Sequence, residues 1–567
     1  MMDIEVINVA IPIILLILLS YPLGRYMAKV YKGQKNFMDF LSPLENGIYK
    51  ICSIDPNEQM DWKRFLRVLL TLNLFWFIWG MVLLVFQGVL PLNPDHNIGQ
   101  SISQAFNTCI SFMVNCDLQH YSGETGVTYF TQLFVVMLFQ FLTAATGLAA
   151  FAGMLKAMSE KTTKTIGNFW FYLIRSFTRI LLPLSMILAL LLIFNGTPMT
   201  LEGKQKLTTL EGTEQTISQG PVAAIVAIKQ LGTNGGGFFG ANSSHPLENP
   251  TYFTNTVECT AILLIPMALI WTLGFYLKRK RFAFCIFSVM LFAYLTTVII
   301  AVHQETNGNP KIAALGIPQP GGNMEGKEVR LGSVATAWWA MSTTASSNGS
   351  VNGMHDSLTP LTGMLAMLNM QTNCWFGGVG VGFMNYYIFI IIAVFISGLM
   401  VGRTPEFLGK KIEAREMKIA TIIALLHPFI ILTGTAIAAY LTANNSSLAS
   451  QWLNNPSFHG LSEMLYEYTS STANNGSGFE GLKDNTSFWN ISTGIVMIFG
   501  RYLPIIGQIA IAGILAKKKY VPESAGTLKI DTATFSVMTF AVIFIIAALS
   551  FFPSLTLGPI SEFLTMK

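Results

Sequence analysis

Charge is what this chain has least of: Asp, Glu, Lys and Arg together make up 11 % of its 567 residues, against about a quarter in a soluble domain. With 52 % hydrophobic residues, the deficit is too deep for core burial alone, and hydrocarbon in place of water as the outer solvent accounts for it. The six cysteines, at 52, 109, 116, 259, 285 and 374, form no CxxC pair, which argues against a zinc or disulfide framework and for small buried hydrophobes. An Asp-Lys-Thr-Gly signature of aspartyl phosphorylation is missing, so ATP hydrolysis through such a motif is not expected of this chain. The start, Met-Met-Asp-Ile-Glu, lacks the positive region of a cleavable signal, and the apolar run 6–21 is expected to be a retained first span. The net charge of +5 sits mainly in particular loops, which points to membrane orientation rather than nucleic-acid binding.

What is present is a series of apolar runs. Ten are long enough to cross a bilayer, which takes roughly 20 residues: 6–24, 66–90, 129–155, 169–195, 257–277, 282–302, 377–402, 419–441, 491–515 and 533–556. Basic residues crowd alternate connections. Loop 25–64 carries Arg25, Lys29, Lys32, Lys35, Lys50, Lys63 and Arg64, and the link after the fifth run reads Lys278-Arg-Lys-Arg281. Loops 156–168, 403–418 and 516–532 are similarly basic, whereas 91–128 has no Lys or Arg and 442–490 has only Lys483. The positive-inside rule then predicts that the basic loops are cytoplasmic and that both termini face outside.

The connections poor in charge are the long ones. They contain short segments at 101–114, 221–231, 332–346 and 461–473, too short to span and suited to re-entrant helices. Each ends in small polar residues, with glycine in the last three: Asn115-Cys116-Asp117, Thr233-Asn234-Gly235, Ser347-Asn348-Gly349 and Asn474-Asn475-Gly476. Asp117, Gly235, Gly349 and Gly476 recur roughly every 120 residues, and a recurring span, short helix, polar loop and span is an internal repeat that sets the fold. The predicted fold class is an all-α integral membrane protein with ten transmembrane helices and four membrane-pore-membrane repeats. The predicted divisions are 1–64, a first helix and cytoplasmic loop; repeats at 65–155, 169–277, 282–402 and 419–515; and a last helix at 533–567.

Dehydrating a monovalent cation requires several fixed oxygens of modest field strength, and backbone carbonyls supply them without a full charge that would trap the ion. Glycine permits backbone angles that turn successive carbonyls inward. Asn, Ser and Thr can tie such a loop down, and a short helix aiming its C-terminus at the cavity adds negative potential. A lone Asn-Gly is ordinary turn chemistry; three such pairs and one near relative, each after a short helix, favour a filter for a monovalent cation.

The stretch Gly232-Thr-Asn-Gly-Gly-Gly-Phe-Phe-Gly-Ala-Asn-Ser-Ser-His-Pro-Leu-Glu-Asn-Pro-Thr251, with Gln119-His-Tyr-Ser-Gly-Glu124, Val351-Asn-Gly-Met-His-Asp356 and Gly398-Leu-Met-Val-Gly-Arg-Thr-Pro405, resembles the potassium-binding A subunits of bacterial Kdp potassium-transporting ATPases. The resemblance implies a subunit of the inner membrane that takes K+ from outside into a four-loop filter. From there the ion would pass to the P-type ATPase (B) subunit, in a complex completed by a C subunit and often a small F subunit. By motif, it implies filter carbonyls from Asn115, Cys116, Asp117, Thr233, Asn234, Gly235, Ser347, Asn348, Gly349, Asn474, Asn475 and Gly476. Gln119 falls at a position linked to affinity, and Arg403 and Arg501 match arginines near a gating loop below the filter. The first loop departs from the family pattern, with Cys116 and Asp117 where Thr and Asn are expected.

Alternatives are a self-sufficient potassium channel or symporter of the same architecture, or a membrane scaffold. The sequence Gly321-Gly-Asn-Met-Glu-Gly-Lys327 imitates a phosphate-binding loop, but Glu328 replaces the required Ser or Thr and no apolar strand precedes it, so no nucleotide is expected on this chain. His120, His245 and His355 each follow a filter segment without ligand-like spacing, and local hydrogen bonding is expected of them. Arg501 lies inside a span, where an ionisable residue is functional by default.

Overall fold

The computed structural model describes residues 2–400, 402, 404–522 and 528–566. Among them, ten helices are long and apolar enough to cross a membrane: Glu5–Tyr31, Trp62–Val89, Tyr129–Ser159, Phe169–Phe194, Tyr252–Tyr276, Lys280–Ala314, Val381–Met400, Ala414–Asn444, Ser487–Lys517 and Ala533–Met566. The chain is a multi-pass membrane protein. The outward faces carry large apolar side chains at helical spacing, for example Ile7, Ile11, Ile14 and Leu18, or Leu74, Ile78 and Val82. Exposed rows of this kind require a hydrocarbon solvent. The third and fifth spans are the most enclosed and the first, second and tenth the most peripheral.

Four short helices lie between pairs of spans: Ile102–Met113, Val222–Leu231, Gly332–Ala345 and Phe458–Ala473. Each is almost wholly buried although none could cross a bilayer. Ser101 caps the first through the N–H of Gln104. All four stop at the polar loops because the next residue but one or the cap itself turns left-handed: Asn115, Thr233, Ser347 and Asn474 have φ of 60°, 48°, 52° and 53°.

The third repeat departs from the simple pattern. Its returning limb is two helices, Pro360–Thr372 and Val381–Met400, and the first of these was not foreseen in the sequence. The break between them follows Asn373 (φ 47°) and contains Phe376 (φ 66°), Gly377 (φ 61°) and Gly380 (φ 86°). Irregular backbone survives at this depth only where protein or a water-filled cavity surrounds it. Two small hairpins, Gln205–Thr208 with Glu214–Ile217 and Glu406–Phe407 with Lys410–Lys411, lie at opposite ends of the spans that flank them.

A candidate four-loop ion filter

The four polar loops meet in a closed ring, and glycine is what lets them. A Cβ on Gly235 would overlap the backbone of Gly349, and one on Gly349 would lie 2.8 Å from the backbone of Asn475 and Gly476. A Cβ on Gly476 would overlap the carbonyls of Cys116 and Asp117, and one on Gly236 would overlap the Asp117 carboxylate. Loop two therefore seats on three, three on four, four on one and one on two, with no space for a Cβ at these glycines.

Backbone conformation repeats with the ring. The first residue of each triplet is left-handed, the middle one is not, and the third is left-handed again in Asp117 (φ 58°), Gly235 (φ 102°) and Gly476 (φ 105°). Holding a non-glycine residue there costs on the order of 1–3 kcal/mol, most for the β-branched Thr233, and persists because the surroundings over-determine it.

Side-chain amides supply that restraint. Asn234 Nδ2 donates to Asn115 Oδ1 (3.2 Å), Asn348 Nδ2 to the carbonyls of Lys229 (3.3 Å) and Gln230 (3.4 Å), and Asn475 Nδ2 to the Thr343 carbonyl (2.8 Å). Each middle Asn thus holds the preceding repeat. Asn115 Nδ2 reaches forward to the carbonyls of Gly232 and Thr233, both at 3.0 Å. Asn474 Nδ2 donates to the carbonyls of Met497 (3.1 Å) and Ser471 (3.2 Å). Cys116 is buried and its thiol makes no hydrogen bond to a neighbouring repeat. The Asp117 carboxylate is buried over Gly236 with neither oxygen hydrogen-bonded. Gln119 Oε1 accepts from Asn242 Nδ2 (3.4 Å), placing this side chain over the second loop.

Below the ring lies the break in the third repeat. The Val379 N–H donates to Thr233 Oγ1 (2.9 Å), Ser347 Oγ to Asn373 Oδ1 (2.9 Å), the Gly377 N–H to the Ala345 carbonyl (2.9 Å), and Asn373 Nδ2 to the Ala473 carbonyl (3.2 Å). Segment 373–380 is thereby fastened to three of the four repeats. Its far side packs on Gly147, where a Cβ would overlap the Val379 carbonyl and stand 3.4 Å from the Arg501 guanidinium. Arg501 is 6 % exposed, so it does not snorkel to either membrane face, and among the described residues no carboxylate pairs with it. Arg403, the other predicted gate residue, lies outside the described residues.

Sequence reasoning missed the buried charges behind the ring. Lys229, on the second short helix, pairs with Glu248, and Ser243 hydrogen-bonds Glu248 and Glu258. Gln230 reaches Glu258 (2.9 Å) and Ser350 (2.9 Å). A lysine within an otherwise apolar 222–231 was the available signal, since an unpaired charge there would be prohibitive. In the third repeat Lys327 pairs with Glu305 at 3.0 Å, so the lysine of the imitation phosphate loop is committed to a carboxylate. The three histidines are held by neighbours: His120 by Glu467 (3.1 Å) and Asn490 (2.7 Å), His355 by Tyr466 (2.8 Å), and His245 by the Leu247 N–H and by stacking on Phe239.

A family model described as the potassium-transporting ATPase A subunit matches residues 10–564. A protein of Phocaeicola vulgatus named potassium-transporting ATPase potassium-binding subunit is 68 % identical over the whole of both chains. Proteins of the same name from Flavobacterium johnsoniae and Geobacillus kaustophilus are 58 % and 48 % identical, covering 100 % and 98 % of each chain. Among solved structures, the potassium transporter TrkH from Vibrio parahaemolyticus aligns with 89 % of this chain and 97 % of its own, with a TM-score of 0.49 and 12 % identity.

Proposed function

The chain belongs to the potassium-transporting ATPase A subunit family, and on that premise we propose that it is the potassium-binding, channel-like subunit of an ATP-driven uptake complex. The ring of four loops carries the reading: four short helices end at one ring of left-handed and glycine backbone, packed too closely for a Cβ at its glycines. Such a ring offers carbonyl oxygens from residues 115–117, 233–235, 347–349 and 474–476 in place of an ion's water shell, and the helix C-termini add negative potential. Potassium is the ion the reading assigns.

Membrane orientation follows from the basic loops. The ring opens outside, both termini face outside, and the basic connections lie in the cytoplasm of a bacterium, in its inner membrane. Ion leaving the ring inward meets segment 373–380 and the Arg501 guanidinium. A fixed cation below a cation filter opposes free conduction by Coulomb repulsion in a low-dielectric setting, which suits a subunit whose onward transfer is driven by a partner. The partners assigned are the P-type ATPase (B) subunit, the C subunit and the small F subunit of a Kdp complex; this chain binds no nucleotide in the reading. The test is Rb+ uptake in a strain deficient in potassium uptake. The expected result is none with this chain alone and robust uptake on co-expression of the partner subunits. Uptake by the chain alone would overturn the subunit reading in favour of a self-sufficient channel or symporter.

A further inference from the structure

On the ring side of the molecule, away from the filter, three repeat elements bring carboxylates around one imidazole. His459 and Glu463 stand one turn apart at the start of the fourth short helix, a spacing that puts both on one face. Asp356 comes from the turn His355–Ser357 in the third repeat, and Glu562 from the last helical segment. His459 Nε2 lies 2.9 Å from Asp356 Oδ1, and Nδ1 lies 2.9 Å from Glu562 Oε1. One ligand atom each of Asp356, His459 and Glu463 fall within 4.8 Å of one another.

Two independent features point to a cation as the ligand of this cluster. Glu463 is fully buried, yet its Oε2 has no hydrogen-bond partner. Its Oε1 accepts from the Asn455 N–H (3.2 Å) and shares the Asn455 side-chain amide with Asp356 Oδ2, each at 3.4 Å. The wall beside them is bare because residue 481 is glycine: a Cβ there would stand 2.6 Å from both oxygens. The second feature is charge. Glu480 Oε2 accepts the Asp356 N–H at 3.0 Å, so Asp356, Glu463, Glu480 and Glu562 gather about one imidazole. Among the described residues no Lys or Arg forms an ion pair with any of these four carboxylates.

We propose that Asp356, His459 and Glu463 form a site for a divalent first-row transition cation such as Zn2+, with Glu562 orienting the imidazole through Nδ1. One imidazole and two carboxylates are an ordinary donor set for such a cation, and a carboxylate on the other ring nitrogen is the usual partner of a ligating histidine. Binding displaces the Nε2 proton to solvent, so protons compete with the metal at this site. Access is from the outer surface, where the His459 and Glu562 side chains are 17 % and 22 % exposed. An occupied site would pin the fourth short helix to the third repeat and the chain's last segment.

The test uses the purified, metal-stripped full chain with Cys52→Ser to remove the one exposed thiol. Equilibrium dialysis against ZnCl2 at pH 8, read by elemental analysis, is expected to give one more Zn2+ per chain than in His459→Gln or Glu463→Gln. Glu562→Gln should keep the site but bind about tenfold more weakly, and lowering the pH to 5.5 should empty it. The chain without ligand substitutions provides a check that no folding defect can imitate: X-ray absorption of its bound zinc should show nitrogen and oxygen neighbours at about 2.0–2.2 Å. Equal zinc in parent and variants, or a sulfur shell at about 2.3 Å, would overturn the proposal. Because zinc content is read without potassium, failure here leaves the potassium reading untouched, and the reverse also holds.

Discussion

Loops two, three and four of the ring are built alike, and loop one is built differently. In the three, the middle residue is asparagine, and its amide crosses to the preceding repeat: Asn234 to repeat one, Asn348 to repeat two, Asn475 to repeat three. The corresponding link from repeat one back to repeat four is absent because Cys116 stands there. Repeat one closes the ring by other means. Gly476 seats directly on the Cys116 and Asp117 carbonyls. Farther out, His120 reaches Glu467 and Asn490, and Asn107 Nδ2 reaches the Asn490 carbonyl (3.1 Å) and Thr493 Oγ1 (2.8 Å). A four-fold site made from one chain can thus shift the fastening of one seam from the filter to its flank while keeping the backbone that meets the ion.

The largest effect should come from attacking that backbone. Gly476 has φ 105° and its absent Cβ would overlap loop one, so Gly476→Ala combines a strained conformation with a clash. Cation binding by the complex, followed with Rb+, should fall at least 100-fold; a value within threefold of the parent would mean that the seam between loops four and one is slack. Next comes the amide comparison. Asn475→Ala removes both the amide that crosses to the Thr343 carbonyl and the Oδ1 that accepts the buried Ser477 N–H (3.0 Å); leaving that N–H unsatisfied costs about 1–3 kcal/mol, or roughly five- to 150-fold in affinity if the filter bears the loss. Cys116→Ala removes no hydrogen bond and should change affinity by less than about threefold. Equal effects for the two substitutions would erase the distinction between the loops.

How far this asymmetry could be read in advance depends on the range of the interactions. The ten spans, the four short helices and the three Asn-Gly endings were legible, because apolar length and glycine are local signals, and the odd residues Cys116 and Asp117 were visible as a departure. What they imply was not. That Asn475 holds residue 343, or that His120 meets Glu467, joins positions more than 100 apart in the chain, and no periodicity encodes such a pairing. The helix Pro360–Thr372 was missed for a related reason: it is short, polar in places and buried by its neighbours, so only the glycine break after it showed. Lys229 with Glu248 lay in plain view as an isolated charge, but its partner is set by the fold.

Asp117 sharpens the comparison electrostatically, with an effect expected between those of the amides and the flank. Loops two, three and four present glycine at the third position; loop one presents a buried carboxylate with no hydrogen-bond donor, over Gly236 and near Lys229. If loop one compensates for its missing amide by drawing the cation with charge, Asp117→Asn should weaken Rb+ binding about three- to tenfold. Discrimination against Na+ should stay unchanged, since the carbonyl cage is untouched. A loss of selectivity without a loss of affinity would instead mean that this side chain shapes the cage.

The flank should respond least, and through pH. Burial alone would push the His120 imidazole down, but Asp484 and Glu467 outweigh it and raise it to about 9. A histidine whose folded value exceeds its unfolded one lends stability that is complete below about 6.5 and fades as pH rises through the folded value. The seam between repeats one and four should therefore loosen between pH 7 and pH 10; the seam between repeats three and four carries an imidazole of its own, His459 on Asp356, which His120→Gln leaves in place. Thermal unfolding of the purified chain should show a lower midpoint at pH 9.5 than at pH 7, and in His120→Gln the part of that decline due to this residue should vanish. Since lysines and other groups also titrate in this range, the difference between the two proteins is the quantity to read. Parallel pH profiles would place the fastening of repeat one in the backbone contact with Gly476 and the Asn107 hydrogen bonds.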